Sequence, residues 1–352
     1  MTRPQYRFAR AATERLTKMM PRPLLGRCRG GFARIAAGAA VAALLAGALA
    51  PASADNYPER PVQLVVPAGP GSSTDTIMRS LAQAAAPLLG QSIVILNKPG
   101  ASGTIGVSYV TRSEPDGYTI GGVPSGAITM APHVAAASFQ PGDYRVVAMI
   151  TQAAGVLCVK PDFPAKNAVE FLALLRDNPD KYTYGSDGVG GFVQFSTARI
   201  FDLAGIRQRI IPFSGADQTV TALIAGTIDI YGGAIATIAP FVADGKAKCL
   251  LLTTARRFAA LPNVESLEDV KMAQAQTLLW RAVIAPRDIP QDRFEKLRDV
   301  LTKAAMSPEF RAMAEKRGEE VWAISAEDAL KYAQGEFIQM EQLARELRLK
   351  QN

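Results

Sequence analysis

Twice in this chain a short run of β-branched residues leads into a glycine- and serine-rich loop, and the loop opens an amphipathic helix. In the first copy Val62 to Val66 precedes Pro67-Ala68-Gly69-Pro70-Gly71-Ser72-Ser73-Thr74-Asp75. Ile77, Leu81, Ala84 or Ala85, and Leu88 then share one face at helical spacing. In the second copy Tyr182 to Gly185 precedes Ser186-Asp187-Gly188-Val189-Gly190-Gly191, with a helix from about Phe192. Strands that alternate with helical patterns of 10 to 15 residues belong to sheets covered by helices, so the class is α/β. A helix that starts on such a loop leaves up to four backbone amides without partners, and that end attracts anions. Each loop taken singly reads equally well as an ordinary βα turn with a helix cap, Ser72, Ser73 and Thr74 being the cap candidates. Neither fits a dinucleotide GxGxxG or a phosphate-binding GxxxxGK[ST], because the glycine spacing differs and the lysine is missing.

The same alternation runs through the rest of the chain. Strands are expected at 92–96, 119–123, 145–150, 156–159, 209–213, 228–231 and 249–253, and helices at 105–112, 168–176, 194–203 and 219–225. The run LLWRAVIA at 278–285 reads as one more strand, followed by amphipathic helices over 290–317 and 325–349.

The first 54 residues carry nine Lys or Arg against the single acid Glu14, then an apolar run from Ile35 to Ala50. That pattern is a secretory signal, and Ala52-Ser53-Ala54 offers a small-x-small cleavage site before Asp55. Met19 or Met20 is an alternative start. The apolar run is shorter than the roughly 20 residues a membrane helix needs. Without the leader, 39 − 9 = 30 basic residues face 32 − 1 = 31 acidic ones, so the formal charge of +7 falls to about −1. The basic balance is a property of the leader, and no nucleic-acid partner is expected.

Cys28 lies in the leader, whereas Cys158 and Cys249 sit in the strand-like runs VLCVK and KCLLL. They can pair in an oxidising compartment if their strands are neighbours. His133 is the chain's one histidine, which argues against a zinc site or a Ser/His/Asp triad; no metal, cofactor or catalytic residue is expected.

The order of YPERPVQLVVPAGPGSSTDTIMRSLAQ, LNKPGASGTIG and EPDGYTIGGVPSG resembles the solute receptors of tripartite tricarboxylate transporters, the Bug-type periplasmic binding proteins. The resemblance implies a type II-like two-lobed periplasmic binding protein fold, each lobe a mostly parallel sheet flanked by helices, with the ligand cleft between lobes. It places the signal peptide at 1–54, the first lobe at 55–156, the second at 157–276, and the return to the first lobe with the C-terminal helices at 277–352. It implies a monomeric periplasmic receptor that binds a small organic carboxylate and delivers it to the membrane subunits of the transporter.

In the first loop Gly71, Thr74 and Asp75 match the family pattern and Ser72 replaces a glycine. In the second, Tyr184, Gly185, Ser186, Gly188 and Gly190 match, while Val193 and Gln194 replace the usual Ser and His. Phe213 and Ser214 replace a tyrosine and a cation, and Gly233 stands where many members carry an acid. Trp280 matches the family's tryptophan before the return crossing. The ligand-binding set carried over is Ala68, Gly69, Gly71, Ser72, Ser73, Thr74 and Asp75 from the first loop, and Ser125 and Gly126 after the third strand. From the second lobe it takes Ser186, Gly188, Gly190, Gly191, Phe192, Val193, Gln194, Phe213 and Gly232. The departures make the second-lobe wall more apolar, which implies a carboxylate with a hydrophobic or aromatic body against Phe192, Phe213 and Tyr231. Asp75 is expected to turn away from a bound anion and hold loop amides. Arg281 is the one basic side chain considered as an extra clamp. A receptor that signals to a membrane sensor, and an exported hydrolase using Ser72 or Ser186, are the competing readings; the second lacks a matching base.

Overall fold

The computed structural model describes residues 56–135, 137–186, 190–213, 215–346 and 349. The leader read above, and Asp187, Gly188, Val189 and Ser214, lie outside the described residues.

Strand β1 (Val62–Val66) sits between β2 (Ile93–Asn97) and β3 (Thr119–Pro124) and runs parallel to both. Helix α1 (Ser73–Leu89) follows β1 and buries Ile77, Met78, Leu81, Ala85 and Leu89, a stripe at helical spacing, whereas Leu88, expected on that face, is 50% exposed. Each large apolar side chain buried there stabilises by about 1.5–3 kcal/mol. Gly90 ends the helix in the left-handed conformation at φ 78°. Helix α2 (Thr104–Thr111) leads toward β3. A second group repeats the plan. Strand β5 (Thr183–Ser186) lies between β6 (Arg209–Pro212) and β7 (Ile230–Ala234), again parallel to both. Around it lie α3 (Ala168–Asp177), α4 (Phe192–Leu203), α5 (Ala216–Ala225) and α6 (Ile235–Ala243), the last not anticipated from the sequence.

Two long strands join the groups. Strand β4 (Tyr144–Val159) pairs antiparallel with β9 (Leu278–Pro286) from Tyr144–Pro286 to Ala154–Leu278, and β9 pairs antiparallel with β3. At Gly155 the partner of β4 changes. From there to Val159 it pairs with β7 on one edge and with β8 (Lys248–Leu252) on the other. One continuous strand therefore belongs to both halves of a curled mixed sheet, and three register shifts along it mark where it bends.

The sequence predicts two separate strands, 145–150 and 156–159. Gln152-Ala153-Ala154-Gly155 between them has little β preference of its own, and the pairing with β9 and β7 overrides it. The long helix expected over 290–317 is instead α7 (Gln291–Ala305) and α8 (Pro308–Lys316). Pro308 cannot donate to the preceding turn, and Ser307 caps the new helix by accepting from the Phe310 amide at 3.2 Å. Strand β10 (Glu320–Val321) adds to β4 at Thr151 and Gln152, and α9 (Ala326–Glu346) closes the described chain.

Cys158 of β4 and Cys249 of β8 are direct cross-strand partners and form a disulfide, the pairing that the sequence left open. It closes a loop spanning 91 positions. Replacing both cysteines by serine is expected to cost roughly 4 kcal/mol and lower the unfolding midpoint by about 10 °C, read by calorimetry on oxidised protein. An unchanged midpoint refutes a stabilising role for this bond.

Candidate ligand-binding site

The two glycine loops have the same backbone plan. Gly71 adopts φ 81°, Ser72 is extended at φ −60° and ψ 160°, and α1 begins at Ser73. Gly190 adopts φ 79°, Gly191 is extended at φ −75° and ψ 168°, and α4 begins at Phe192. The left-handed glycine is required in each because an L side chain is strained there. In both helices the third residue reaches back four positions to that glycine. Asp75 Oδ2 accepts from the Gly71 amide at 2.8 Å, and Gln194 Oε1 accepts from the Gly190 amide at 2.6 Å. Among the described residues no acceptor is found for the amides of Ser73 and Thr74, or for those of Phe192 and Val193. Each helix start is thus framed by its glycine and third residue, with the first two amides of the helix lacking an acceptor among the described residues.

Asp75 is buried and turned into the protein. Besides the Gly71 amide it accepts from Arg79 Nε at 2.9 Å and Asn97 Nδ2 at 2.8 Å. Burial acts to raise its carboxyl, but the hydrogen bonds from Arg79, Asn97 and Gly71 outweigh it and hold the group below the usual carboxylate range. Asn97 also donates to the Ala68 carbonyl at 2.9 Å, so β2 pins the loop from behind. Ser72 caps α1, its Oγ accepting from the Asp75 amide at 3.2 Å. The sequence reading missed Arg79, Asn97 and the role of Gln194. The equal four-residue spacing of Gly71 to Asp75 and of Gly190 to Gln194 is the signal that could have found the last.

Ser125 and Gly126 lie between the two loops. Pro124 pairs with Arg281 on β9, and the Arg281 guanidinium reaches Ser73 and Thr74. On the other side a Cβ at Gly126 would stand 3.1 Å from the Phe192 amide nitrogen, so only glycine lets the chain approach α4 this closely. A Cβ at Gly190 would collide with Val134.

A π-helical turn over Gly126–Met130 carries Thr129, whose hydroxyl oxygen lies 2.9 Å from the Ser125 carbonyl and 2.8 Å from Glu336 Oε2. One hydroxyl hydrogen serves only one of these oxygens. The Thr129 hydroxyl donates to Glu336 Oε2, and Trp280 Nε1 donates to the same oxygen at 2.9 Å. Burial pushes the Glu336 carboxyl up from 4.5 to about 7 against the opposing bonds from Thr129 and Trp280.

The aromatic rings expected to line a pocket are used otherwise. Phe192 is 5% exposed and packs with Met130, Leu279, Met340 and Leu343; a Cβ on Gly155 would meet its ring at 2.6 Å. Tyr231 is buried, donates to the Ala234 carbonyl at 3.0 Å and lies over Gly233, filling the space a side chain there would need. Phe213 packs toward α5 and lines an open depression of about 470 Å³ with Asp217, Gln218 and Thr221. Phe192 and Tyr231 fill cores because residues far apart in sequence, Leu279 and Met340 around the first and Val156, Leu223 and Leu252 around the second, bring apolar surface against them. Val193 covers Gly232, so its side chain is committed to packing and its amide remains. Ser186 is buried at the end of β5, its carbonyl accepting from the Phe213 amide at 2.9 Å. Gly69 has open space around it, and Gly188 lies outside the described residues. His133 packs against Phe337 at 4.3 Å between ring centres.

Arg281 does not extend into open space as a clamp. Its side chain and that of Glu319 are each 1% exposed, and Nη1 meets Glu319 Oε2 at 2.5 Å. Nothing in the sequence pattern pointed to Glu319.

Known proteins are similar to this chain in sequence and fold. The family described as Tripartite tricarboxylate transporter family receptor matches residues 77–349. A UPF0065 protein of Bordetella pertussis is 32% identical over 300 residues, 85% of this chain and 92% of its own length. Among solved structures, MatC from Rhodopseudomonas palustris with bound malate is 26% identical with a TM-score of 0.75, covering 82% of this chain and 99% of its own. A second R. palustris protein, solved with adipate, is 25% identical with a TM-score of 0.77, covering 83% and 98%.

The Glu336 arrangement sets a pH dependence. Because the folded-state value lies above the ordinary one, folding takes up a proton between about pH 4.5 and 7, and the stabilisation is complete below that window and lost as pH rises through it. Stability of the native protein is expected to fall by about 3 kcal/mol across the window relative to Glu336→Gln, whose amide does not titrate. Urea unfolding at stepped pH reads the difference; parallel profiles for the two proteins refute the protonated carboxyl.

Proposed function

Because this chain belongs to the tripartite tricarboxylate transporter receptor family, we propose that it is a periplasmic solute receptor whose two glycine-framed helix starts jointly hold a small organic carboxylate for delivery to the family's membrane subunits. The observation that carries this reading is the matched pair of helix starts, each with a left-handed glycine, a back-bonded third residue and two first amides without an acceptor among the described residues. Four charge-assisted bonds of about 1.5–3 kcal/mol give roughly 6–12 kcal/mol before ordering costs, enough for micromolar binding near −8 kcal/mol. We take residues 1–54 as the export signal, 55–156 and 277–352 as one lobe and 157–276 as the other, with the receptor acting as a monomer. The crossing strands β4 and β9 are then the hinge, and ligand drives closure by its preference for the closed form.

The ligand class follows from what the second lobe lacks. Tyr231 occupies the space over Gly233, so no acid stands there to accept an ammonium group, and Asp75 is already engaged by Arg79 and Asn97. A carboxylate without an amino group is favoured. With Phe192 and Tyr231 withdrawn into cores and Phe213 turned toward α5, a compact aliphatic body suits the site better than an aromatic one. The malate and adipate bound in two relatives are of that kind. Catalysis is disfavoured because the histidine is packed on Phe337 and Ser72 Oγ serves as a helix cap.

A thermal-shift screen of aliphatic and aromatic mono- and dicarboxylates against amino acids tests the reading. Aliphatic carboxylates are expected to raise the unfolding midpoint, and a response to amino acids alone refutes the class. Gln194→Leu, which frees the Gly190 amide without touching the hinge, is expected to weaken binding about tenfold while changing the ligand-free midpoint little. Equal affinity for Gln194→Leu and the native protein by calorimetry counts against the second loop.

A further inference from the structure

Behind the first loop lies a buried pair that makes no contact with the open side of the site. Arg281 projects from β9 and Glu319 from the segment between α8 and β10. Nη1 of Arg281 meets Glu319 Oε2 at 2.5 Å, Nη2 donates to Ser73 Oγ, and Nε lies 3.4 Å from Thr74 Oγ1. Glu319 in turn accepts from Thr151 Oγ1 at 2.7 Å and from Ser73 Oγ at 3.3 Å. The single Ser73 hydrogen is therefore directed at Glu319, and its oxygen accepts from Arg281. Ser73 and Thr74 face the anion with their amides alone, while their hydroxyls hold a fixed positive charge one side-chain length away. A lone guanidinium at that depth would bind an anion at the amides tightly and release it slowly. Glu319 stands at contact distance from it and cancels most of its field.

Resting on the reading that the first loop holds the ligand carboxylate, we propose that Glu319 is an internal counter-ion that sets the receptor's affinity by neutralising Arg281 beneath the Ser73 and Thr74 amides. Both are positioning residues, since neither touches the ligand. The sign of the effect separates this from plain bracing. Removing the negative partner in Glu319→Gln leaves the guanidinium uncompensated and is expected to tighten binding about fivefold at low salt. Removing the positive one in Arg281→Met leaves a buried anion and is expected to weaken binding by a similar factor. A brace would instead make both changes weaken binding.

The experiment is calorimetric titration of malate and adipate into the native protein, the two single variants and the double variant Arg281→Gln with Glu319→Gln, at low and physiological salt. Opposite shifts in the single variants, shrinking as salt rises, support the proposal, and shifts in the same direction overturn it. Where a single variant fails to fold, the double variant decides. It carries no net charge change and is expected to bind within threefold of the native protein; weaker binding than that overturns the proposal. Native protein that binds neither probe sinks the receptor reading and this inference together, whereas native binding with same-direction shifts sinks this inference only.

Discussion

Two helices of this protein begin with backbone amides for which no acceptor is found among the described residues, and both beginnings are set by a left-handed glycine, an extended residue and a back-bonded third residue. A buried amide without an acceptor costs free energy, so such donors persist only where a partner from outside meets them. The frame makes the donors rigid. Gly71 and Gly190 turn the chain, and Asp75 and Gln194 tie the turn to the first helical turn that follows. In the proposed site side-chain charge would play no direct part, which suits a receptor that must let go: main-chain donors bind a carboxylate without the long-range attraction of an exposed cation.

The strands decide how the two frames come together. Because β4 passes from one group of parallel strands to the other at Gly155, and β9 runs beside it, the segment after β3 is carried to the start of α4. Gly126 is the contact point, and it is held by the Thr129, Glu336 and Trp280 cluster, which ties it to α9. A movement about β4 and β9 would therefore move the two helix starts relative to each other while leaving each intact. Family membership gives the receptor reading its context, and the paired frames give it a physical mechanism.

The buried Arg281 and Glu319 illustrate why a charged residue near a site need not belong to it. Two ions taken out of water lose hydration worth several kcal/mol each, and only close pairing with further hydrogen bonds offsets that. Here Thr151, Ser73 and Thr74 supply those bonds. The sequence offered Arg281 as a possible clamp on the ligand; the fold instead buries it beneath the loop, paired with Glu319.

Local chemistry was legible in the chain as written. Alternating strand and helix patterns gave the α/β class, the two glycine loops gave the helix starts, and the position of Asp75 beside a helix N-terminus suggested that it would bind loop amides. These features depend on residues within a few positions of one another, where turn geometry and periodicity act. What the tertiary structure alone decided depends on residues far apart in sequence. Arg281 and Ser73 are separated by 208 positions, Glu319 and Thr151 by 168, and Cys158 and Cys249 by 91. The continuity of β4 across a stretch with little strand preference, the withdrawal of Phe192 and Tyr231 into cores, and the upward shift of the Glu336 carboxyl are set by packing and burial. Those forces act through neighbours that only the folded chain brings together.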